Sequence, residues 1–293
     1  MAPVGKAARA TLALLFSGWV IGVLPAVAHG PIDEQIATLS EQLQQDPQNA
    51  VLYLKRGALH SHHRDWNAAL ADYERAARLD RTLDVVDLAR GRTLLAAGGY
   101  PQAKSALDRF LAKHPHHGEA LATRARVLVK LAQPLAAAED YTHAIAAGEG
   151  LDRPEPDYYL ERARALAAAR GDHVDEELRG LDEGIKRLGP IVTLQLEAIN
   201  LELARKRYDA ALARLGTIAA QSPRKEAWLA RRGEILEQAG RVGEARLAYE
   251  EAVAAIGSLP PRHRMTRATT GLEAHIRAAL ARLAGGEHKD ADP

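Results

Sequence analysis

The chain contains no cysteine among its 293 residues. Disulfide bonds, zinc sites built on thiolates, thiol nucleophiles and lipid attachment through cysteine are therefore excluded. Aromatic residues make up only 4% of the sequence, with Met and Phe occurring twice each. Apolar residues nevertheless reach 47% and charged residues 26%, which is typical of a globular, alanine-rich chain rather than a disordered one.

A strong excess of either charge is also missing, since 39 basic and 38 acidic residues leave a net charge of +1. Nucleic-acid binding through phosphates needs a broad basic surface, so the composition argues against a nucleic-acid partner. The sequence has no nucleophile elbow, no glycine-rich phosphate loop and no HExxH helix. With the carboxylates expected on solvent-facing helix positions, we interpret the chain as a non-enzyme that requires no cofactor.

Residues 1–28 have the parts of a secretory signal peptide. Lys6 and Arg9 precede the apolar run TLALLFSGWVIGVLP, and the small-residue sequence AVA ends at Ala28. This pattern predicts cleavage before His29, a periplasmic or secreted protein, and no stable membrane insertion after cleavage. The alternative is an uncleaved anchor, because residues 10–28 carry no charge over 19 residues, close to the ~18 that can span a bilayer.

A small residue recurs at a nearly constant interval through the rest of the chain. It is found at Gly57, Gly91, Ala125, Ala163, Ala198 and Gly233, and the first two steps are 34 residues each. A small, a large and a small residue follow at fixed distances, as in Ala69, Tyr73 and Ala76 of the first unit and Ala245, Tyr249 and Ala252 of the sixth. A period of about 34 with this pattern resembles the tetratricopeptide repeat.

The resemblance implies an all-α fold, a right-handed superhelical solenoid of about six helix pairs whose small residues let paired helices approach closely. The units are predicted near 50–83, 84–117, 118–155, 156–190, 191–225 and 226–260. A helix within 29–49 and a helix within 261–285 are predicted to cap the two ends, and 286–293 to form a disordered tail. Unit four departs most from the pattern, because Glu177 occupies a position that is small elsewhere.

In this repeat family the first helix of each unit lines a concave groove, and the residue after the recurrent small residue faces inward. Those residues are Ala58, Arg92, Arg126, Arg164, Ile199 and Glu234. Arg92, Arg126 and Arg164, joined by Lys130, predict a basic strip, whereas Glu202, Glu234 and Glu237 predict an acidic region. Arginine binds carboxylates through paired hydrogen bonds, so an acidic or C-terminal segment of a protein partner is the predicted ligand. The alternative is that the arginines pair with acidic residues of adjacent helices.

Histidines form two clusters in the sequence. The first comprises His60, His62 and His63, the second comprises His114, His116 and His117, and His29 would become the N-terminal residue after cleavage. Imidazole binds Zn, Cu and Ni, so these residues are the metal candidates. The two clusters are expected at opposite edges of the array, one at a turn within a unit and one between units. We therefore interpret them as structural or solvated residues and predict no metal site.

Taken together, these features predict a non-catalytic interaction scaffold of the cell envelope that binds a peptide or protein partner in its groove. A histidine-dependent metal-handling accessory protein is the alternative. Metal analysis of a dialysed, tag-free sample distinguishes the two classes.

Export is the first testable prediction. Protein recovered from a soluble periplasmic extract is expected to begin at His29, because the small residues before it form the cleavage signal. N-terminal sequencing checks the boundary. Recovery of residues 1–28 in the membrane fraction contradicts it.

Overall fold

The structure is a computed structural model that describes residues 31–148 and 155–287. Within these ranges the chain forms fifteen helices and no strand. They are Pro31–Gln45 (α1), Ala50–His62 (α2), Trp66–Leu79 (α3), Val85–Ala97 (α4), Tyr100–Lys113 (α5), Gly118–Lys130 (α6), Pro134–Ala147 (α7), Pro156–Ala167 (α8), Val174–Leu188 (α9), Val192–Ala204 (α10), Tyr208–Gln221 (α11), Glu226–Gln238 (α12), Val242–Gly257 (α13), Pro261–Arg264 (α14) and Arg267–Glu287 (α15). The predicted signal peptide and His29 lie outside the described residues.

Local sequence accounts for many of the helix ends. The side chains of Asn49 and Asp65 accept hydrogen bonds from backbone amides in the first turns of α2 and α3, at 3.2 and 3.3 Å. Proline occupies the first turn of α5, α7 and α8, where no amide hydrogen is needed. Gly98 ends α4 with a φ of 83°, a conformation that favours glycine. The chain therefore breaks into short helices at residues suited to turns.

The helices pair within units as α2–α3, α4–α5, α6–α7, α8–α9, α10–α11 and α12–α13. A Cβ atom added at Gly57 would lie 2.7 Å from Tyr73, and one added at Gly91 would lie 2.5 Å from Leu107. Such distances are far inside van der Waals contact, so these positions accept no side chain without rearrangement of the pair. The recurrent small residue is thus the point of closest approach in a unit.

The stacking of the units brings first helices of neighbouring units together. Each second helix packs on the first helix of the next unit, and the first helices also contact one another, as in α2–α4, α4–α6 and α8–α10. α1 packs on α2 in the way that the second helix of a unit packs on the first helix of the next unit. At the other end α15 packs on α13 and takes the place of a further first helix. The first helices of neighbouring units therefore line one side of the array, which we call the first-helix wall, between two end helices that cover the outermost units.

The C-terminal end differs in detail from the predicted single helix within 261–285. It consists of the four-residue α14 and the longer α15, which continues to Glu287. The first two residues of the predicted 286–293 tail are therefore helical, and 288–293 lie outside the described residues. At the other end α1 lies inside the predicted 29–49 range.

Unit four buries a carboxyl group where other units bury a methyl group. Glu177 of α9 is only 3% exposed, whereas Ala69 and Ala245 at the matching positions are 0% exposed. Burial raises the pKa of Glu177 above its ordinary value, and His173 opposes this effect. Because the folded state holds the proton more tightly than the unfolded state, ionisation of Glu177 destabilises the fold.

Replacement of Glu177 by Gln is therefore expected to stabilise the protein at pH 7, by about 1 kcal/mol, the scale of a buried polar penalty. The difference should shrink as the pH falls through the raised folded-state pKa and be lost below the unfolded pKa of about 4.3, where wild-type Glu177 is protonated in both states. Urea unfolding at pH 7 and pH 4 measures it. Glu41→Gln on the exposed face of α1 is the matched control and should change little. Equal stability of Glu177→Gln and wild type at both pH values contradicts the prediction.

Candidate functional site

The predicted basic strip lies on the first-helix wall, spread over α4, α6 and α8. Tyr158 of α8 is close enough to contribute to the electrostatic environment of both Arg92 and Arg126. Units two, three and four therefore converge on one side of the molecule.

Two of the three strip arginines are paired with acidic residues of the following unit. Arg92 forms an ion pair with Glu119 at the start of α6. Nε of Arg126 donates to both carboxylate oxygens of Glu161 in α8, at 3.1 and 3.0 Å. The three arginines are therefore not an uncompensated ladder, and for two of them the alternative of pairing with adjacent helices describes the contacts.

The third arginine of the strip and the neighbouring lysine have no acidic partner among the described residues. Arg164 and Lys130 are both exposed, and neither forms an ion pair with an acid in the described part of the chain. Both border a cavity of about 190 Å³ between α6 and α8. Its lining consists of Arg126, Val129, Lys130, Tyr141, Glu161, Arg164 and Ala165. This cavity is the candidate ligand site on the wall.

The predicted acidic region is largely neutralised by the protein itself. Glu202 is 6% exposed, with one carboxylate oxygen 3.3 Å from Nη2 of Arg214. The prediction that Glu202 lines an open groove is therefore wrong, because the carboxylate is turned into the contact with α11. Its pairing also leaves little net negative charge at this point of the wall.

The other two predicted acids contact the C-terminal helix. Glu234 accepts a hydrogen bond from Arg231 at 2.7 Å and lies 3.3 Å from Nε2 of His275 in α15. Glu237 accepts hydrogen bonds from the Tyr249 hydroxyl at 3.0 Å and from Arg282 of α15 at 3.3 Å. These carboxylates thus hold the end helix against unit six.

Sequence reasoning missed the buried arginine–aspartate pairs that join the helices of a unit. Arg56 donates two hydrogen bonds to Asp72, at 2.8 and 2.7 Å, and Arg124 donates two to Asp140, both at 2.7 Å. Both aspartates are 5% exposed, so they are not at the solvent-facing positions expected for carboxylates. The hydrogen bonds to Asp140 raise the pKa of Arg124 further above its already high value. The signal was present as an Arg and an Asp 16 residues apart at equivalent positions of units one and three.

Four of the six clustered histidines are engaged in local contacts. His114 pairs with Asp84 at 2.8 Å, and its ring lies 4.6 Å from that of Phe110. Nδ1 of His117 accepts the amide hydrogen bond of Ala120 at 3.2 Å and so caps α6. His60 and His63 lie 3.8 and 3.6 Å from the carboxylates of Asp65 and Asp33, and His62 and His116 are exposed. In the described ranges no three His, Cys, Asp or Glu residues are grouped to hold a metal ion.

Comparison with known families agrees with the repeat geometry. Residues 177–268 match the family described as a tetratricopeptide repeat-like domain, and residues 88–130 match a tetratricopeptide repeat. The chain is a tetratricopeptide repeat (TPR) protein. Proteins of this class bind protein or peptide partners, so the chain is a protein–protein interaction scaffold, and the TPR fold is generally non-catalytic. No curated protein matches the sequence.

Solved TPR structures share the fold. The C-terminal part of a TPR repeat-containing protein from Cytophaga hutchinsonii superposes with a TM-score of 0.63 at 11% identity, covering 80% of this chain and 95% of that one. A TPR protein from Parabacteroides merdae gives 0.51 at 17% identity, covering 84% and 92%. PilW, a type IV pilus biogenesis factor, gives 0.53 at 16% identity, covering 68% and 90%. At these identities the similarity concerns the fold alone.

The capping role of His117 yields a prediction. His117→Ala is expected to lower stability by about 1 kcal/mol, because the amide of Ala120 loses its acceptor. His117→Asn should retain most of the stability, since asparagine is a good cap. Thermal unfolding of the two variants and of a His116→Ala control, which changes an exposed neighbour, checks this. Equal melting temperatures for all three variants would show that the cap contributes nothing.

Proposed function

We propose that the chain is a non-catalytic scaffold of the cell envelope that binds a segment of a partner protein along the wall formed by its first helices. The observation that carries this proposal is that the first-helix wall exposes both apolar and cationic side chains. Protein surfaces normally scatter their exposed apolar side chains, whereas an ordered array favours a binding surface.

The apolar part of the wall follows the repeat in units one, two and five, whereas the equivalent residue is Glu119 in unit three and Asp157 in unit four. Val51, Val85 and Val192 are 44, 39 and 45% exposed, and each lies six residues before the recurrent small residue of its unit. Their equivalence places them at the same height on α2, α4 and α10. A segment crossing α2 and α4 would bury Val51 and Val85 in turn, which is how apolar anchors contribute to peptide recognition.

The cationic part lies between these valines in the middle of the array. Arg164 and Lys130 have no acidic partner in the described ranges, so an acidic segment of the partner complements them. The predicted acidic end of the groove contributes less, because Glu234 and Glu237 already bind residues of α15.

A location in the cell envelope rests on residues 1–28. Their basic start, apolar run and AVA end are the features of an exported precursor. Among the described helices, none combines the length and apolar character needed to cross a membrane.

A non-catalytic role is supported by three of the buried carboxylates in the described ranges. Asp72, Asp140 and Glu202 are each bonded to an arginine of the same fold. Carboxylates held in this way join helices together, whereas a general acid or base must reach a substrate.

Site-specific photo-crosslinking tests the wall as the partner-binding surface. A photoreactive amino acid at Val85, Val129 or Val192 of the first helices, which are 39, 42 and 45% exposed, is expected to give an adduct with one partner. Mass spectrometry should map all three adducts to a single segment of that partner. The same amino acid at Leu135 or Leu247 of the second helices, which are 54 and 57% exposed, is the matched control. Adducts of equal yield from both sets of positions contradict the proposal.

A further inference from the structure

Positive charge gathers at the C-terminal end of the array. From Ala252 to Leu272 the sequence contains three arginines and one histidine but no aspartate or glutamate. This stretch covers the end of α13, the whole of α14 and the start of α15. Basic and acidic residues nearly balance over the whole chain, so the excess is local. The end of the array next to unit six is therefore cationic, although the protein as a whole is not.

The arginines of this stretch have no acidic partner in the described part of the chain. Arg262 and Arg267 are exposed and form no ion pair there. Arg264 is also exposed, and its Nη1 donates to the carbonyl oxygen of Gly257 at 3.2 Å, a contact that holds the turn but balances no charge. Like charges gathered in one segment are unfavourable unless an anion compensates them. The segment 262–267 therefore presents cations to an external anion.

The loop before α12 brings a further cation to the same edge. Nη2 of Arg224 donates to the hydroxyl of Thr269 at 3.4 Å, and the hydroxyls of Thr269 and Thr266 lie 2.9 Å apart. This loop therefore lies against the turn between α14 and α15. Arg224 itself is paired with the buried Glu226. Lys225 beside it is exposed and has no acidic partner within the described residues.

An exposed methionine lies among these cations. Met265 follows α14 directly and is 78% exposed, more than any other large apolar side chain in the described ranges. Arg264 and Arg267 flank it in the sequence. Apolar side chains that enter a bilayer interface, with basic side chains beside them that attract anionic lipids, are the usual parts of a peripheral membrane contact. The turn combines both parts on one exposed segment.

We propose that Arg262, Arg264, Met265, Arg267 and Lys225, which we call the cationic end surface, bind the phosphate-bearing face of an anionic phospholipid membrane. The attachment is peripheral, since none of the described helices is long and apolar enough to cross a bilayer. A flat membrane suits this surface because its charges lie on an exposed turn. The cationic end surface is separate from the first-helix wall, so a membrane and a protein partner can be bound together.

Vesicle co-sedimentation tests the proposal. Protein recovered from a soluble extract is mixed with vesicles of phosphatidylcholine alone, or of phosphatidylcholine with phosphatidylglycerol. Binding is expected only to the anionic vesicles, and it should weaken as salt rises because exposed charges are screened over about 10 Å at 0.1 M. Inorganic phosphate at the same ionic strength should not displace the protein. Saturable binding of soluble polyglutamate without binding to anionic vesicles assigns the surface to an acidic protein and overturns the proposal.

Charge variants locate the binding surface. The double variant Arg262→Gln, Arg267→Gln should bind anionic vesicles about 25-fold more weakly, taking about fivefold for each arginine near an anionic membrane. Lysine at both positions should retain most of the affinity, because attraction to a charged surface needs the charge rather than the planar fork.

The matched control is Arg64→Gln with Arg81→Gln, which removes the same charge from two exposed arginines of unit one. It should bind like wild type. Equal losses in the two glutamine variants show that overall charge decides the binding, and they overturn the proposal.

The role of Met265 has its own readout. The chain contains no cysteine, so Met265→Cys can be labelled at one site with a polarity-sensitive fluorophore. Its emission is expected to move to shorter wavelength with anionic vesicles and to stay unchanged with neutral ones. Leu247→Cys on α13, where the leucine is 57% exposed, is the control and should show no change. The same response at both sites, or none at residue 265, contradicts the assignment.

This proposal and the proposed function fail separately. Crosslinks from the valine positions without vesicle binding leave the wall as the partner-binding surface and remove the membrane contact. Vesicle binding that depends on Arg262 and Arg267, without position-specific crosslinks, gives the reverse result. All variants carry the same N-terminus, so any contribution of residues 1–28 is equal among them and the comparisons hold.

Discussion

The close contact between the two helices of a unit is the constraint on which the rest of the structure depends. At Gly57, Gly91 and Gly233 an added Cβ would lie 2.7 Å or less from Tyr73, Leu107 or Tyr249 of the second helix. The backbones can approach only because one side contributes no side chain, and the large residue opposite fills the remaining space. A pair of this kind cannot cover its own apolar surface, so the units must stack. The stacking in turn aligns equivalent residues along one wall.

Electrostatics inside the array decide which charges remain for a ligand. Arg56 and Arg124 bind buried aspartates. Arg92 and Arg126 pair with glutamates of the next unit, and Arg214 pairs with Glu202. These pairs fix how the helices and units are oriented, since paired hydrogen bonds have a narrow geometry. Lys130 and Arg164 are among the cations of the wall that have no acidic partner in the described ranges, and both border the cavity between α6 and α8. The candidate site is therefore a place where cationic side chains lack an acidic partner within the described part of the fold.

Unit four shows how a departure from the repeat is accommodated. Gly184 occupies a position that holds a larger residue in the other units. An added Cβ there would lie 2.8 Å from the fully buried Tyr159, whose ring occupies the place of the missing side chain. Glu177 lies in the same helix, and burial raises the pKa of its carboxyl group. This unit also directly follows the cavity, contributing Glu161 and Arg164 to it. Its packing is therefore linked to the geometry of the candidate site.

The all-α repeat fold and the division of the chain into first and second helices could be predicted from the sequence, because small and large residues at a period of about 34 report directly on helix packing. Turn residues such as Asn49, Asp65 and Gly98 likewise determined helix ends through local hydrogen bonds and backbone conformation. Which acidic residue each arginine binds was decided only by the tertiary structure. Arg126 and Arg164 occupy the same repeat position, yet Glu161 reaches only one of them. Long side chains choose partners by distances of a few ångströms between units, and that distance is set by the stacked fold rather than by residue type or spacing.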